Sequence, residues 1–247
     1  MRDLPLGLQE LVSDAHLIFT ATVLEIGASS VENLPPQDDF VVVMVERPLR
    51  SEPGLGDLRR KKMTVKLLKT GDLRLEDRVI FFTLNWIQGG GIAVREIGHL
   101  GIQLEDDVAE EVGRLPMRHL ADRVADSLLI AVAEVTAINP TPFEIRWRSA
   151  PQWATASLQK IEPLWGHPPE EMVILFPTSE RPIWARSPRL KEGQRGIFLL
   201  HRPPDWPPLP QSDAPIRSAV FTVLDPADVQ PESQRPVIEA MLSERSV

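Results

Sequence analysis

Residues 12–26 (VSDAHLIFTATVLEI) decide the organisation of this chain, because a similar stretch returns at residues 124–138 (VADSLLIAVAEVTAI). The two stretches align without a gap at an offset of 112 residues. The identical pairs are Val12 and Val124, Asp14 and Asp126, Leu17 and Leu129, Ile18 and Ile130, Ala21 and Ala133, Val23 and Val135, and Ile26 and Ile138. This similarity indicates that part of the chain is repeated.

Three further blocks recur in the same order. They are ERPL at 46–49 with IEPL at 161–164, MTVKL at 63–67 with MVILF at 172–176, and RVIFF at 78–82 with RGIFL at 195–199. Four blocks in one order are hard to obtain by chance. We therefore predict two copies of one domain, residues 1–117 and 118–247, rather than a solenoid with repeats of about 20–50 residues.

Each copy is predicted to be mainly β, from runs rich in β-branched and aromatic residues. The first copy has a short helix at 8–12 and strands at 17–26, 40–45, 63–68, 78–87 and 92–97, with a glycine turn at 89–91. The second has strands at 129–138, 143–148, 154–161, 172–176, 195–201 and 217–224. A helix is predicted at the end of each copy, at 105–112 and at 237–242. Gly113 and Pro116 predict a short joint at 113–119.

These elements predict a mainly β fold with short helices: two tandem OB-like five-stranded β-barrels, each followed by a C-terminal helix. Residues 14–23, 45–50 and 75–82 resemble the opening strand and later strand ends of netrin-like, metalloproteinase-inhibitor-like β-barrel modules. Residues 126–135, 161–166 and 190–200 repeat them. The resemblance implies a barrel fold rather than a particular function. The chain has no Cys, unlike the secreted disulfide-bonded members, so a protease-inhibitor role is not expected.

Composition excludes several classes of protein. The 247 residues are 43% hydrophobic, which is enough for a substantial core, and they carry a net charge of −8. Without Cys there is no disulfide, thiolate metal site or cysteine nucleophile. The acidic balance disfavours a general nucleic-acid binder. With no membrane-spanning run and no signal-peptide core, we expect a cytoplasmic protein without membrane association; a signal peptide already removed stays an open alternative.

Sequence motifs for catalysis are missing. The histidines lack zinc-ligand spacing, and there is no nucleophile elbow, phosphate loop or dinucleotide fingerprint. We therefore predict no metal, no cofactor and no enzymatic activity. The acidic run at 105–111 suits the start of a helix better than a calcium loop. The histidines in question are His16, His99, His119, His167 and His201.

Two surface segments are candidates for binding another protein. Arg59, Arg60, Lys61 and Lys62 form a basic tip before the third strand, either as a patch for an acidic partner or as an edge-protecting loop. Residues 202–210 (RPPDWPPLP) stand where the first copy has three glycines, and their prolines favour a stiff, extended backbone. The contacts predicted there are Pro204, Trp206, Pro207 and Leu209; folding of this loop over its own barrel is the equal alternative.

The function predicted from the sequence is a non-catalytic protein-interaction or scaffold module within a larger complex. One alternative is single-stranded nucleic-acid binding, for which Trp147, flanked by Arg146 and Arg148, and Trp153 are the candidate stacking residues. The other is a hydrolase with a site between the barrels. Five of the six Trp residues and the densest proline cluster lie in the second copy, which marks it as the specialised half.

Overall fold

The computed structural model describes residues 7–51, 55–88, 91–140, 152–169, 172–179, 184, 186–203 and 220–245. The chain divides into two compact units, Met1–Leu115 and Pro116–Val247. Both units are mainly β, as predicted.

The first unit contains a closed five-stranded barrel. Its elements are α1 (Leu8–Asp14), β1 (Leu17–Ile26), β2 (Phe40–Arg50), β3 (Lys62–Lys66), β4 (Arg78–Gln88) and β5 (Ile92–Gly101). The strands close in the order β1–β2–β3–β5–β4, with β3 parallel to β5 and the other neighbours antiparallel. The five-stranded barrel predicted for the first copy is confirmed.

Strands of the first barrel are buried on both faces, which explains their continuous apolar runs. Inside the barrel, the rings of Phe19 and Phe81 lie 5.6 Å apart within the main core. On the outside, Ile18, Ile80 and Phe82 pack under helical residues in a second cluster. Helices therefore cover the outer face of β1 and β4.

The second unit forms an open six-stranded sheet, so the prediction of a second closed barrel was wrong. Its elements are β6 (Leu129–Pro140), β7 (Trp153–Trp165), β8 (Val173–Pro177), β9 (Arg195–Leu200), β10 (Val220–Thr222), β11 (Val229–Gln230) and α3 (Arg235–Arg245). The order is β10–β8–β7–β6–β9–β11. Within the described residues, a single bridge from His201 to Thr222 connects β9 with β10. The strand predicted at 143–148 lies outside the described residues.

Strand pairing follows the same register in the two units. Phe19 pairs with Pro48 in the first, and Ala131 pairs with Pro163 in the second, as the sequence blocks require. Likewise Leu17 pairs with Thr83, and Leu129 pairs with Leu200. The recurring blocks thus occupy equivalent ladder positions.

The units differ most in their fifth strand. In the first unit β5 is continuous: it pairs with β4 from Ile92 to Gly101, and residues 93–95 also run parallel to β3. In the second unit two short strands share this role, because β10 runs parallel to β8 and β11 pairs with β9. Between them lies a 3-10 turn at Pro226–Asp228, started by a capping box from Asp225. We call this interruption the strand break.

The boundary between the two units, at Leu115 and Pro116, lies within the predicted joint at 113–119. The helix predicted to end at residue 112 does not end there, because one helix, α2 (Glu105–Asp126), runs through the joint. Near its start, Val108 packs in the first unit's outer cluster, while Leu120 and Val124 pack in the second unit. Leu120 and Val124 align in sequence with Leu8 and Val12 of α1, so the C-terminal part of α2 corresponds in position to α1. Packing at both ends offsets the hydrogen bond lost at Pro116. None of the helices in the described residues is long and apolar enough to cross a membrane.

An ion pair joins strand to helix in both units, with its charges reversed. Arg47 of β2 donates to Glu105 at 2.9 Å, and Arg235 of α3 donates to Glu162 of β7 at 2.8 Å. Arg47 and Glu162 occupy equivalent positions, and Glu105 and Arg235 each begin a helix. Docking of either helix on the other unit would bring like charges together, which disfavours mispairing of the copies.

Candidate binding site

The strand break is built around the carboxylate of Asp228, which is fully buried. Its Oδ2 accepts hydrogen bonds from the backbone N–H groups of Leu224 at 2.8 Å and Asp225 at 2.9 Å. Asp225 in turn accepts from the N–H of Ala227 at 2.9 Å. Side-chain acceptors thus satisfy backbone groups where strand pairing is interrupted.

Two basic side chains face the same carboxylate. Arg123 of α2 donates to its two oxygens at 2.7 and 2.9 Å, and Nε2 of His201 lies 3.0 Å from Oδ1. Burial by itself would raise the pKa of Asp228, but the hydrogen bonds from His201, Arg123 and the Asp225 backbone outweigh it and lower that pKa. The network therefore holds a buried, ionised carboxylate that fixes the strand break to α2 and β9.

Ser127, His201 and Asp228 together contain the residue types of a hydrolase triad, but their geometry does not suit that chemistry. The same Nε2 of His201 faces both Asp228, at 3.0 Å, and Oγ of Ser127, at 3.5 Å. A triad needs the two ring nitrogens to face the two partners separately. Ser127 is also buried, and its hydroxyl donates to the carbonyl of Arg123 at 2.7 Å. The arrangement is suited to stabilising the fold.

A pocket of about 630 Å³ opens beside the strand break. Its walls come from α2, from the segment around Ser187, and from the break itself. Apolar side chains dominate, and on the rim His119 pairs with Asp225 at 2.9 Å. The lining residues are Pro116, Met117, His119, Leu120, Trp184, Arg186, Ser187, Leu224, Asp225, Pro226, Ala227, Gln230 and Gln234. We call it the strand-break pocket.

The Trp184 wall of the pocket is supported from behind. Trp153 of β7 packs against Trp184 with ring centroids 6.2 Å apart, and Trp153 belongs to a buried cluster with Val220. Arg189 donates hydrogen bonds to the carbonyl oxygens of Pro177, Ser179 and Trp184. Trp153 is thus a core residue rather than the exposed stacking residue considered for nucleic-acid binding.

The structure describes some of the other predicted contact residues and not others. Pro204, Trp206, Pro207 and Leu209 lie outside the described residues, as do Arg146, Trp147 and Arg148. Arg59, Arg60, Lys61 and Lys62 are described, all exposed, in the first unit. Of the described residues on either side of 204–219, His201 forms a bridge with Thr222, and Val220 begins β10.

The outer face of β2 and β3, where an OB barrel would receive nucleic acid, is covered by other parts of the first unit. Ser30 from the β1–β2 loop donates its N–H to Thr64 of β3 at 2.8 Å. Trp86, the bulged residue of β4, lies edge-on to the buried Phe40 at 5.7 Å. A nucleobase would have to displace these contacts.

A second titratable cluster lies in the first unit. The buried Glu96 accepts from the N–H of Leu68 at 3.0 Å, and its other oxygen lies 2.5 Å from Nδ1 of His99. The hydrogen bond with Glu96 raises the pKa of His99; partial burial opposes this, and Asp72 and Asp77 add to it. Among the described residues, no three potential ligands lie close enough to hold a metal ion.

Stability of the first unit is expected to fall as the pH rises through the raised pKa of His99. A His with a raised folded pKa stabilises the fold fully below its unfolded pKa of about 6.5 and ceases to do so above its folded pKa. Denaturant unfolding between about pH 6 and about pH 9 measures this. In the Glu96→Gln variant, the free energy of unfolding should no longer fall with pH because of His99. Equal slopes in the two proteins would contradict the assignment.

Sequence reasoning missed Arg123, Ser127 and Asp228 as members of one cluster, because they lie far apart along the chain. One signal was present: relative to β5, the second copy carries extra residues between Thr222 and Val229, including Pro226. An insertion with proline in a strand indicates a break at that point. The pocket follows from this break.

Comparison of the chain with protein-family models and with curated protein sequences finds no match.

Proposed function

We propose that this chain is a non-catalytic protein-interaction module and that the strand-break pocket is one of its contact surfaces. The observation that carries the proposal is the pocket of about 630 Å³ at the interrupted strand, with mostly apolar walls and the contact between His119 and Asp225 on its rim. Apolar walls with a few oriented polar groups are typical of binding sites.

The buried network under the pocket supports binding rather than catalysis. Ser127 lacks a base, because the facing nitrogen of His201 is directed to the Asp228 carboxylate. Arg123 and two backbone N–H groups further engage that carboxylate, so it is not available as a general base. The network instead presents a fixed surface, which reduces the entropy lost when a partner binds.

The finer assignments belong to the same proposal. The strand order of the first unit and the shared register support two copies of an OB-like module that arose by duplication, the second of which lost closure. We also propose that the chain acts as a scaffold within a larger complex in the cytoplasm. The 202–210 loop stays a predicted contact.

Met117 offers a test of the pocket with a matched control. Its side chain is 49% exposed and lines the pocket, whereas Leu128 is 48% exposed in the same unit and does not line it. We expect Met117→Glu to weaken binding of a purified partner about tenfold, because a buried Met contributes about 1.5–3 kcal/mol. Leu128→Glu should bind as the wild type does.

The partner is first identified by capture on the full chain and mass spectrometry, and its affinity for each variant is then measured by calorimetry. The affinity of a variant that lacks residues 203–210 shows whether the loop contributes to binding of the partner in addition to the pocket. If Met117→Glu and Leu128→Glu bind the partner with equal affinity, the pocket is not a contact surface. Circular dichroism and thermal unfolding confirm that each variant is folded.

A further inference from the structure

The basic tip of the first unit, residues 59–62, has a backbone that is fixed rather than loose. Leu58, fully buried in the barrel core, precedes it, and the N–H of Lys61 donates to the carbonyl of Leu58 at 3.1 Å. Val45 of β2 accepts from the N–H of Arg60 at 2.8 Å and donates to the carbonyl of Lys61 at 3.0 Å. Asp57 caps the N–H of Arg59 at 3.0 Å. The tip is therefore a preorganised turn.

Arg60 adopts a left-handed backbone with φ of 59°. This region is unfavourable for a residue with a Cβ atom, and glycine or asparagine would adopt it at lower cost. Strained residues cluster at functional sites, so an arginine here points to a use for its side chain.

The cations of the tip outnumber the carboxylates of Asp57 and Glu25 that lie beside them. Within the part of the chain that the structure describes, Arg59, Arg60 and Lys61 form no ion pair, while Lys62 pairs with Glu25 at 3.5 Å. Lys61 and Lys62 align with Glu170 and Glu171 of the second copy, so the positive charge belongs to one copy only. Three exposed, adjacent cations on a fixed turn form a strong local attraction for an anion.

From this geometry we infer that the basic tip binds a short acidic segment of a partner protein. The inference rests on the proposed protein-binding function but uses a surface separate from the strand-break pocket. Two observations favour a peptide over single-stranded nucleic acid. Residues 55–69 contain no aromatic side chain on which a base could stack. The whole chain carries a net charge of −8, which repels a long polyanion more than a short one.

The test uses the full chain and a fluorescein-labelled peptide of consecutive glutamates, with binding followed by anisotropy at low salt. We expect the triple variant Arg59→Gln, Arg60→Gln, Lys61→Gln to bind about tenfold more weakly, since each lost exposed pair contributes little by itself. The control triple variant Lys69→Gln, Arg74→Gln, Lys191→Gln removes the same charge from other exposed positions and should bind as the wild type does. Met117→Glu should also bind this peptide normally.

Three outcomes would overturn the inference: equal weakening in both triple variants, tighter binding of oligothymidylate than of the peptide, or no binding of the peptide to the wild type. The two proposals can fail separately. If one of these three results is obtained but Met117→Glu weakens binding of the partner, only the proposal for the basic tip is contradicted. If the basic tip binds the peptide as expected but Met117→Glu does not change the affinity for the partner, only the proposal for the strand-break pocket is contradicted. Thermal unfolding of both triple variants excludes a folding defect as the cause.

Discussion

Replacing Asp228 with asparagine is expected to lower the free energy of unfolding of the second unit by about 3 kcal/mol. The carboxylate is fully buried, and it accepts from Arg123, His201 and two backbone N–H groups. An amide of the same shape offers one acceptor oxygen, and its NH2 group would face donors. Arg123 would lose its partner while its side chain stays mostly buried.

Chemical denaturation with tryptophan fluorescence measures this loss. Asp122→Asn is the matched control: it makes the same change of charge at an exposed position on α2, close to Arg123 in sequence. Its effect should stay within about 0.5 kcal/mol. An Asp228→Asn variant as stable as Asp122→Asn would show that the network contributes nothing to the second unit.

The dependence of this effect on pH has a definite sign. Because the folded pKa of Asp228 is lowered, the stability it contributes is fully present above the unfolded pKa of about 3.9. That contribution is lost as the pH falls through the folded value. The difference between wild type and Asp228→Asn should therefore be constant near neutral pH and shrink in acid.

The elements of the first unit could be predicted because pattern and packing agree there. The bounds of β1, Leu17–Ile26, are those predicted from its run of β-branched and apolar residues. Ile18 and Phe19 face different clusters, one under the helices and one inside the barrel, which forces apolar residues at consecutive positions. Such a run is recognisable without knowledge of the neighbouring strands.

The course of α2 could not be predicted from local signals. Gly113 and Pro116 are residue types that usually interrupt a helix, so a helix is expected to end near them. Here Val108, Leu120 and Val124 supply buried contacts on both sides of the pair, and tertiary packing of this kind contributes more to a helix than intrinsic propensity does. Those contacts depend on strands that lie elsewhere in the chain.

The cluster beneath the candidate binding site could not be predicted for a related reason. Ser127, His201 and Asp228 have no recognisable spacing, because it is the strand order that brings β9 and the strand break to the end of α2. The basic tip was recognisable as a charge run, but its fixed turn depends on hydrogen bonds to Val45 of another strand. The sequence indicates the positive charge of the tip, but only the fold shows that its backbone is held in a fixed turn.

Replacing Gly196 with alanine is expected to destabilise the second unit by about 2 kcal/mol, although alanine is normally the better residue outside special backbone positions. A Cβ atom at Gly196 would lie 2.7 Å from the carbonyl oxygen of Gln230, a backbone atom that cannot turn aside. Because Gln230 pairs with Ile197, the addition would displace β11. Amide hydrogen exchange in β11 should rise together with the loss of stability.

Gly113→Ala is the matched control for this change, since a Cβ atom there meets nothing within 4 Å and the residue lies inside α2. The same substitution should stabilise the chain by about 1 kcal/mol at that position. A neutral or stabilising effect of Gly196→Ala would contradict the close approach of β11. In the first unit the aligned position holds Val79, which pairs with Gly101 of β5. A Cβ atom at Gly101 would first meet the side chain of Gln103, which can move, so the close approach to a backbone oxygen tested here is a property of Gly196 in the second unit.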